Sequence, residues 1–287
     1  MRIVLLALTL AVSLLPLAAF AQTDAEDIAA TMDAFLAAAQ AGDREAAGDL
    51  MTDPFVSRVD PMEDIQTREQ FLESLVDQPA PTEASLGEYE PWIGDGAAYA
   101  TIPLQMPGVD TLVDEVKLGV ALVEMEGAWK LAAMIGLFTL NEDSPEAAPA
   151  LQALPAMYAQ LEAYGNELAQ LGVNGDIAEF FGLAHPEAVV GGIDEETGEM
   201  GVLTAEQMVE EIENTDEPLP GMAPSDQAEM WMEMGFGALM SAYNQDVIYA
   251  DGTMETVRNV GLIGYFPSDE DGGEWLMIGA FQMPIPE

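Results

Sequence analysis

Cations are so scarce in this chain that each invites a chemical reading: Lys and Arg number 7 against 52 Asp and Glu. Lys117 in "DEVKLGVAL" and Arg258 in "ETVRNVGLI" both fall in strand-like runs, where a cation could receive a carboxylate ligand. The preferred reading is an ion pair on an outer sheet face, because Glu115 and Glu255 lie close by. The sole histidine, His185 in "LAHPEA", could serve as a base or a metal ligand. With Pro186 after it, it reads as a helix terminus entering a turn. Met230, Met232 and Met234 in "MWMEM" share one strand face, and three aligned thioethers could hold Cu(I). Methionine at alternating spacing more commonly fills an adaptable core, and that is the expectation here. The acidic loop "SDEDGGEW" (Ser268 to Trp275) fails the spacing of a calcium loop. No nucleophile elbow, phosphate loop, dinucleotide fingerprint or HExxH motif occurs. No cofactor and no metal are expected.

The formal net charge of −45 leaves no Lys/Arg cluster for phosphates, so nucleic acid is not an expected partner. A hydrophobic share of 49% separates this acidity from that of disordered chains. Salt adaptation explains it better than a calcium site, since at 1 M salt a screening length of about 3 Å suppresses self-repulsion. Residues 1–21, "MRIVLLALTLAVSLLPLAAFA", read as a secretory signal cleaved before Gln22, which implies a periplasmic or secreted protein with no membrane anchor. Without cysteine there is no disulfide, and stability must come from burial.

The elements that would position these residues appear twice. "GDREAAGDLM" from Gly42 follows a helical stripe of Ile28, Met32, Phe35, Leu36 and Ala39. "GDIAEFFGLA" from Gly175 follows a similar stripe of Leu161, Tyr164, Leu168 and Leu171. In both, Gly ends one helix and Asp can cap the next. "TREQFLESL" and "TAEQMVEEI" both carry a T-x-x-Q capping box. A G-x-G turn follows in each half, then a strand bearing Lys117 or Arg258, then a strand opening on Trp129 or Trp275. Counterparts keep their order at separations of 133 (Gly42 to Gly175), 137 (Thr67 to Thr204), 141 (Gly94 to Gly235, Lys117 to Arg258) and 146 (Trp129 to Trp275). Such slow drift is the mark of a tandem duplication with small loop insertions. The expected organisation is domain 22–140, a proline-bearing linker 141–156 and a more divergent domain 157–287. Each domain is read as three helices followed by strands, an α+β layer. In the first domain the strands are placed at 85–93, 97–106, 112–125 and 128–138, with Trp129, Leu131, Ala133 and Ile135 on one face.

The first helix ending in "AxxAGDxEAxxxLM", the capped "TREQFL" and the meander closing in "GVALVEMEGAWKLAAM" resemble the nuclear-transport-factor-2-like (NTF2-like) superfamily, in its SnoaL-like branch. The resemblance implies a cone in each half: a strongly bent antiparallel sheet around helices, with a pocket beside the first helix. It implies pairing through sheets, so the two halves would form an internal pseudo-dimer. Enzymes of that superfamily use an Asp or His base and a Tyr, Asp or Asn donor, for which Asp60 and Tyr99 are the candidates in the first half and His185 in the second. The expected function is non-enzymatic binding of a small apolar or carboxylate ligand, or of a protein partner. An isomerase or cyclase and a structural protein with filled cones are the alternatives.

Overall fold

The computed structural model describes residues 24–61, 63–106, 112–193, 200–214, 221–224, 230–248, 252–267 and 273–285. Residues 1–21, read above as a signal, and Ser268 to Gly272 of the acidic loop lie outside them. The first half runs α1 (24–41), α2 (Arg44–Asp49), β1 (Met51–Arg58), β2 (Gln66–Thr67), α3 (Arg68–Asp77), β3 (Ser85–Leu86), β4 (Trp92–Ile93), β5 (Ala97–Gln105), β6 (Val113–Met125) and β7 (Ala128–Leu140). The second runs α4 (Ala148–Asn174), α5 (Ile177–Gly182), β8 (Ala184–Ile193), β9 (Met200–Thr204), α6 (Ala205–Asn214), β10 (Gly221–Pro224), β11 (Met230–Gly235), β12 (Ala238–Ile248), β13 (Met254–Phe266) and β14 (Glu274–Pro284).

The two sheets have one topology. The order is β2-β1-β7-β6-β5-β3 with β4 also on β5, and β9-β8-β14-β13-β12-β10 with β11 also on β12. Registers correspond as well. Val56 pairs with Ala133 and Thr67 in one sheet, Val189 with Gly279 and Thr204 in the other. The separations between these counterparts are those read from the sequence. The α+β class and the two-domain layout follow directly.

Local signals act as their chemistry dictates. Gly42 (φ +63°) and Gly175 (φ +79°) take the left-handed conformation that closes α1 and α4, and Asp43 accepts a bond from Ala46 N at 3.1 Å to start α2. Gln70 reaches back to Thr67 N at 2.8 Å, and Gln207 to Thr204 N at 2.8 Å. Glu126 and Gly127 both have positive φ, the geometry of a two-residue hairpin between β6 and β7.

Three expectations need correction. The helices do not all precede the strands, because β1 and β2 lie between α2 and α3. Pro54 and Pro186 argue against strands in β1 and β8, yet each proline falls within a register break of a parallel pairing, where no regular ladder bond is required of it. The segment 141–156 is helical from Ala148. Pro149 suits the first turn of α4, and Pro155 stays inside a helix held by burial of Met157 and Leu161. Finally, β7 does not keep one face. A bulge beside Ala132 leaves Trp129 and Leu131 under the helices and turns Ala133 and Ile135 to the other side. The equivalent bulge at Ile278 does the same in β14.

Each sheet therefore has a concave face under its helices and an outer face. The outer faces meet: Tyr99, Ala121, Ala133, Ile135 and Leu137 of the first pack in one buried cluster with Met240, Val260, Leu262, Ile278 and Phe281 of the second. Gly235 sits where a Cβ would lie 2.5 Å from Phe138 N, and this close approach lets Phe236 N donate to Phe138 O at 2.8 Å.

Candidate functional site

The seam between the sheets collects Lys117, Arg258, Tyr99 and His185 of the five candidates. Arg258, 6% exposed, donates from Nε to the Tyr99 hydroxyl at 3.0 Å and from Nη1 to Asn244 Oδ1 at 3.1 Å. Its guanidinium carbon lies 5.0 Å from the Trp92 ring centre, and Trp92 and Trp231 flank Tyr99 at 5.4 and 5.7 Å. Lys117 Nζ lies 2.8 Å from Glu233 Oε1 of the second domain and 3.2 Å from Glu115 Oε2. The hydrogen bond that Lys117 donates to Glu233, ahead of the opposing effect of burial, raises the Lys117 pKa. Both cations thus lie on the outer sheet faces, away from the cones.

At the other end of the seam His185 lies in β8 rather than in a turn. Its Nε2 is 3.5 Å from Asp64 Oδ1, its Nδ1 accepts from Glu187 N at 3.2 Å, and its ring stacks on Phe266. Asp60 is exposed after β1, while Tyr99 is buried in the seam. Neither Asp60, Tyr99 nor His185 faces a cone interior.

The residue missed by sequence reasoning here is Arg58. It is 1% exposed and donates to Glu63 O at 3.0 Å, Gly237 O at 3.1 Å, Pro61 O and Tyr265 O, with its guanidinium over Phe266. Burial pulls its pKa down to about 10 against the opposing pull of Asp60 and Asp64. It ties the domains together.

The cones differ sharply. In the first, Phe35 and Phe55 flank Phe71 at 5.9 and 5.6 Å, and they cover a concave face of Ala98, Ala100, Ile102, Leu118, Val120 and Leu122, all buried. In the second, register places Leu168, Ala188 and Met208 where the three phenyl groups stand. The side chains of Met208, Val209 and Ile212 on α6 are only half-buried.

Beneath them the row Ile102–Leu118–Gly136 has become Tyr243–Asn259–Gln282, cross-strand neighbours on β12, β13 and β14. Ser241 and Gln245 adjoin Tyr243 on the same face, and Asn259 Nδ2 donates to Gln245 Oε1. All five are half-buried. Partial burial raises the Tyr243 pKa, so its hydroxyl stays a neutral donor. A Cβ added to Gly192 on β8 would meet nothing within 4 Å, and one on Gly261 would meet only Ser241 Oγ. A Cβ on Gly136 in the filled cone would lie 2.0 Å from Val59 O.

Met230 pairs with Tyr243 and Met232 with Ser241, so two thioethers continue this face at its rim. They are exposed, which overturns the expectation that they fill the core. The row offers a phenol, a hydroxyl and three carboxamides, neutral groups that both donate and accept. Placing the halves in register would have revealed it in the sequence: Ser241, Tyr243, Gln245 and Asn259 of the second half stand opposite Ala100, Ile102, Leu104 and Leu118 of the first.

No family model matches the chain, and neither does any curated protein. Solved structures do resemble it. A candidate dehydratase of the NTF2-like family from Streptomyces avermitilis is 20% identical, covers 40% of this chain and 95% of its own, with a TM-score of 0.33. An NTF2-like protein of unknown function from Shewanella baltica is 15% identical over 40% of this chain and 94% of its own, TM-score 0.34. One from Silicibacter pomeroyi is 14% identical over 41% and 97%, TM-score 0.33. Each of these structures matches about two fifths of this chain.

Proposed function

We propose that this protein is an exported binding module whose second domain holds a small neutral polar molecule in its cone, while the first domain is a filled, structural partner. The observation that carries this reading is the polar row Tyr243–Asn259–Gln282 on a concave face that the first domain makes wholly apolar. Half-buried polar side chains on a concave surface, with an apolar rim, are the usual makings of a ligand site. A neutral ligand fits better than a carboxylate, since Lys117 and Arg258 face the seam and a net charge of −45 repels anions. The row supplies hydrogen bonds rather than proton transfer, which favours binding over catalysis. The same reading takes the two halves as a duplication joined as an internal pseudo-dimer, in support of which stand the common strand order and the shared apolar seam. Export rests on residues 1–21, and amino-terminal sequencing of protein from a periplasmic extract should begin at Gln22.

The test is a thermal-shift panel of neutral ring compounds, monosaccharides and nucleosides among them. A ligand at about a hundred times its Kd stabilises by about 2.7 kcal/mol, and Asn259→Leu should abolish the shift. A panel-wide absence of shifts, or a shift that Asn259→Leu leaves intact, would contradict the proposal.

A further inference from the structure

Strand β11 pairs with β12 along its whole length, from Met230 with Tyr243 to Gly235 with Ala238. Its alternate side chains are committed to the seam, Trp231 against Tyr99 and Glu233 to Lys117. Met230, Met232 and Met234 therefore share the concave face, where they are 70, 55 and 42% exposed. Met32, Met134, Met240, Met277 and Met283, by contrast, are at most 3% exposed. The chain has no cysteine to intercept an oxidant, so its open thioethers meet one first. Met230 pairs with Tyr243 and Met232 with Ser241, which sets a hydroxyl-bearing side chain about 4.5–5.5 Å, Cβ to Cβ, from each of two thioethers. The first domain has Tyr89 and Pro91 where these thioethers stand, and Ile102 and Ala100 where the hydroxyls stand. Thioether and hydroxyl occur together in the second half and are both missing from the first.

We propose that Met230, Met232 and Met234 are a modification site for hydrogen peroxide, and that their oxidation weakens the second cone's hold on its ligand. The effect on the ligand rests on the function proposed above; the modification does not. A sulfur lone pair attacks one oxygen of the peroxide, the O–O bond breaks, an S–O bond forms, and the second oxygen leaves as water. Each thioether is oxidised by two electrons and each peroxide reduced by two, with no further reagent. Thioether sulfur is a weak acceptor, whereas a sulfoxide oxygen is a strong one. On the flexible side chains of Met230 and Met232 that oxygen comes within reach of the Tyr243 and Ser241 hydroxyls and takes up the donors a neutral ligand needs. At Met234 the same reaction makes the apolar rim polar. Because all three side chains project into solvent, their sulfoxides stay hydrated and the fold is kept; the same oxygen on a buried methionine would disrupt the core. Methionine sulfoxide reductases reverse the change.

The mature protein, carrying 3-fluorotyrosine in place of tyrosine, would be treated with hydrogen peroxide and followed by peptide mass spectrometry. Met230, Met232 and Met234 should each gain one oxygen at least tenfold faster than Met240 or Met283, with the urea midpoint unchanged. The fluorine resonance of Tyr243, identified by its loss in Tyr243→Phe, should shift on oxidation of the parent and stay in place in Met230→Leu/Met232→Leu/Met234→Leu. That variant keeps Met254, 65% exposed but paired with Ile248 on the other face of the sheet, as a control that oxidises without moving the resonance. A ligand from the neutral-ring panel should lose at least tenfold in affinity when the parent is oxidised, and none when the triple leucine variant is. An empty panel refutes the binding reading, and the map and the resonance then decide this proposal. Oxidation that spares the three, a lowered urea midpoint, a Tyr243 resonance that stays fixed, or an affinity that oxidation leaves unchanged would overturn it.

Discussion

Truncating equivalent positions in the two cones should give unequal losses. Phe71 and Met208 stand at the same place on α3 and α6, four residues after the capping threonine. Phe71 is 7% exposed and touches two rings, so Phe71→Ala loses the transfer energy of a buried phenyl group, two aromatic contacts and the packing of the space it leaves. Together these amount to about 3–5 kcal/mol. Met208 is half-buried against the cluster of Ala184, Ala188, Val190, Ala205 and Met277, and Met208→Ala should cost about 1 kcal/mol, since solvent already reaches part of the space vacated. For a domain of 150–250 residues each kcal/mol moves Tm by about 2–4 °C, so the first variant should melt at least 6 °C lower and the second within about 4 °C of the parent. Urea and thermal melts followed by tryptophan fluorescence would measure both. Equal losses would refute the contrast between a filled and an open cone.

Arg58→Ala should destabilise by about 3–5 kcal/mol, because four backbone carbonyls in a buried seam lose a charged donor; a Tm within 2 °C of the parent would contradict its role as interdomain tie. Lys117→Met should change stability by about 1 kcal/mol or less and leave ligand affinity in the second cone untouched, as calorimetry can check. Tyr164 donates to Leu183 O at 3.0 Å and accepts from Met277 N at 2.9 Å, and burial raises its pKa. Because the folded state favours the neutral phenol, this stability is fully present below pH 10 and is lost as pH rises further. Tyr164→Phe should therefore cost about 1–3 kcal/mol at pH 7 and show a shallower decline in urea midpoint above pH 10. Added NaCl should raise Tm steadily, and a Tm insensitive to salt would count against self-repulsion as the consequence of the −45 charge.

Much of the architecture was legible because repeated signals need no tertiary knowledge. The Gly42–Asp43 pair, the left-handed Gly175 and the capping threonines act through local backbone geometry, and the structure uses each as read, whereas Asp176 makes no side-chain cap bond at the start of α5. β1 and β8 were obscured because Pro54 and Pro186 break the alternation that marks a strand. The face of β7 was misjudged because a bulge at Ala132 is invisible to a period of two. Lys117 and Arg258 were rightly noticed as scarce cations, yet which side of a sheet they face depends on the neighbouring sheet. Arg58 and the Tyr243–Asn259–Gln282 row went unnoticed for one reason: each takes its meaning from residues far away in the chain. Their only sequence trace lies in comparing the two halves position by position, where Leu118 faces Asn259 and Gly136 faces Gln282.

The most direct test of the central claim is native mass spectrometry of the mature protein, purified from an exporting host and held in concentrated volatile salt, beside the variant Tyr243→Ile/Asn259→Leu. That variant writes the first domain's residues into the second cone. An excess mass on the parent that is lost on denaturation, and absent from a folded variant, is the result expected of a ligand in the second cone. The same excess mass on both proteins, or none on either, would contradict it.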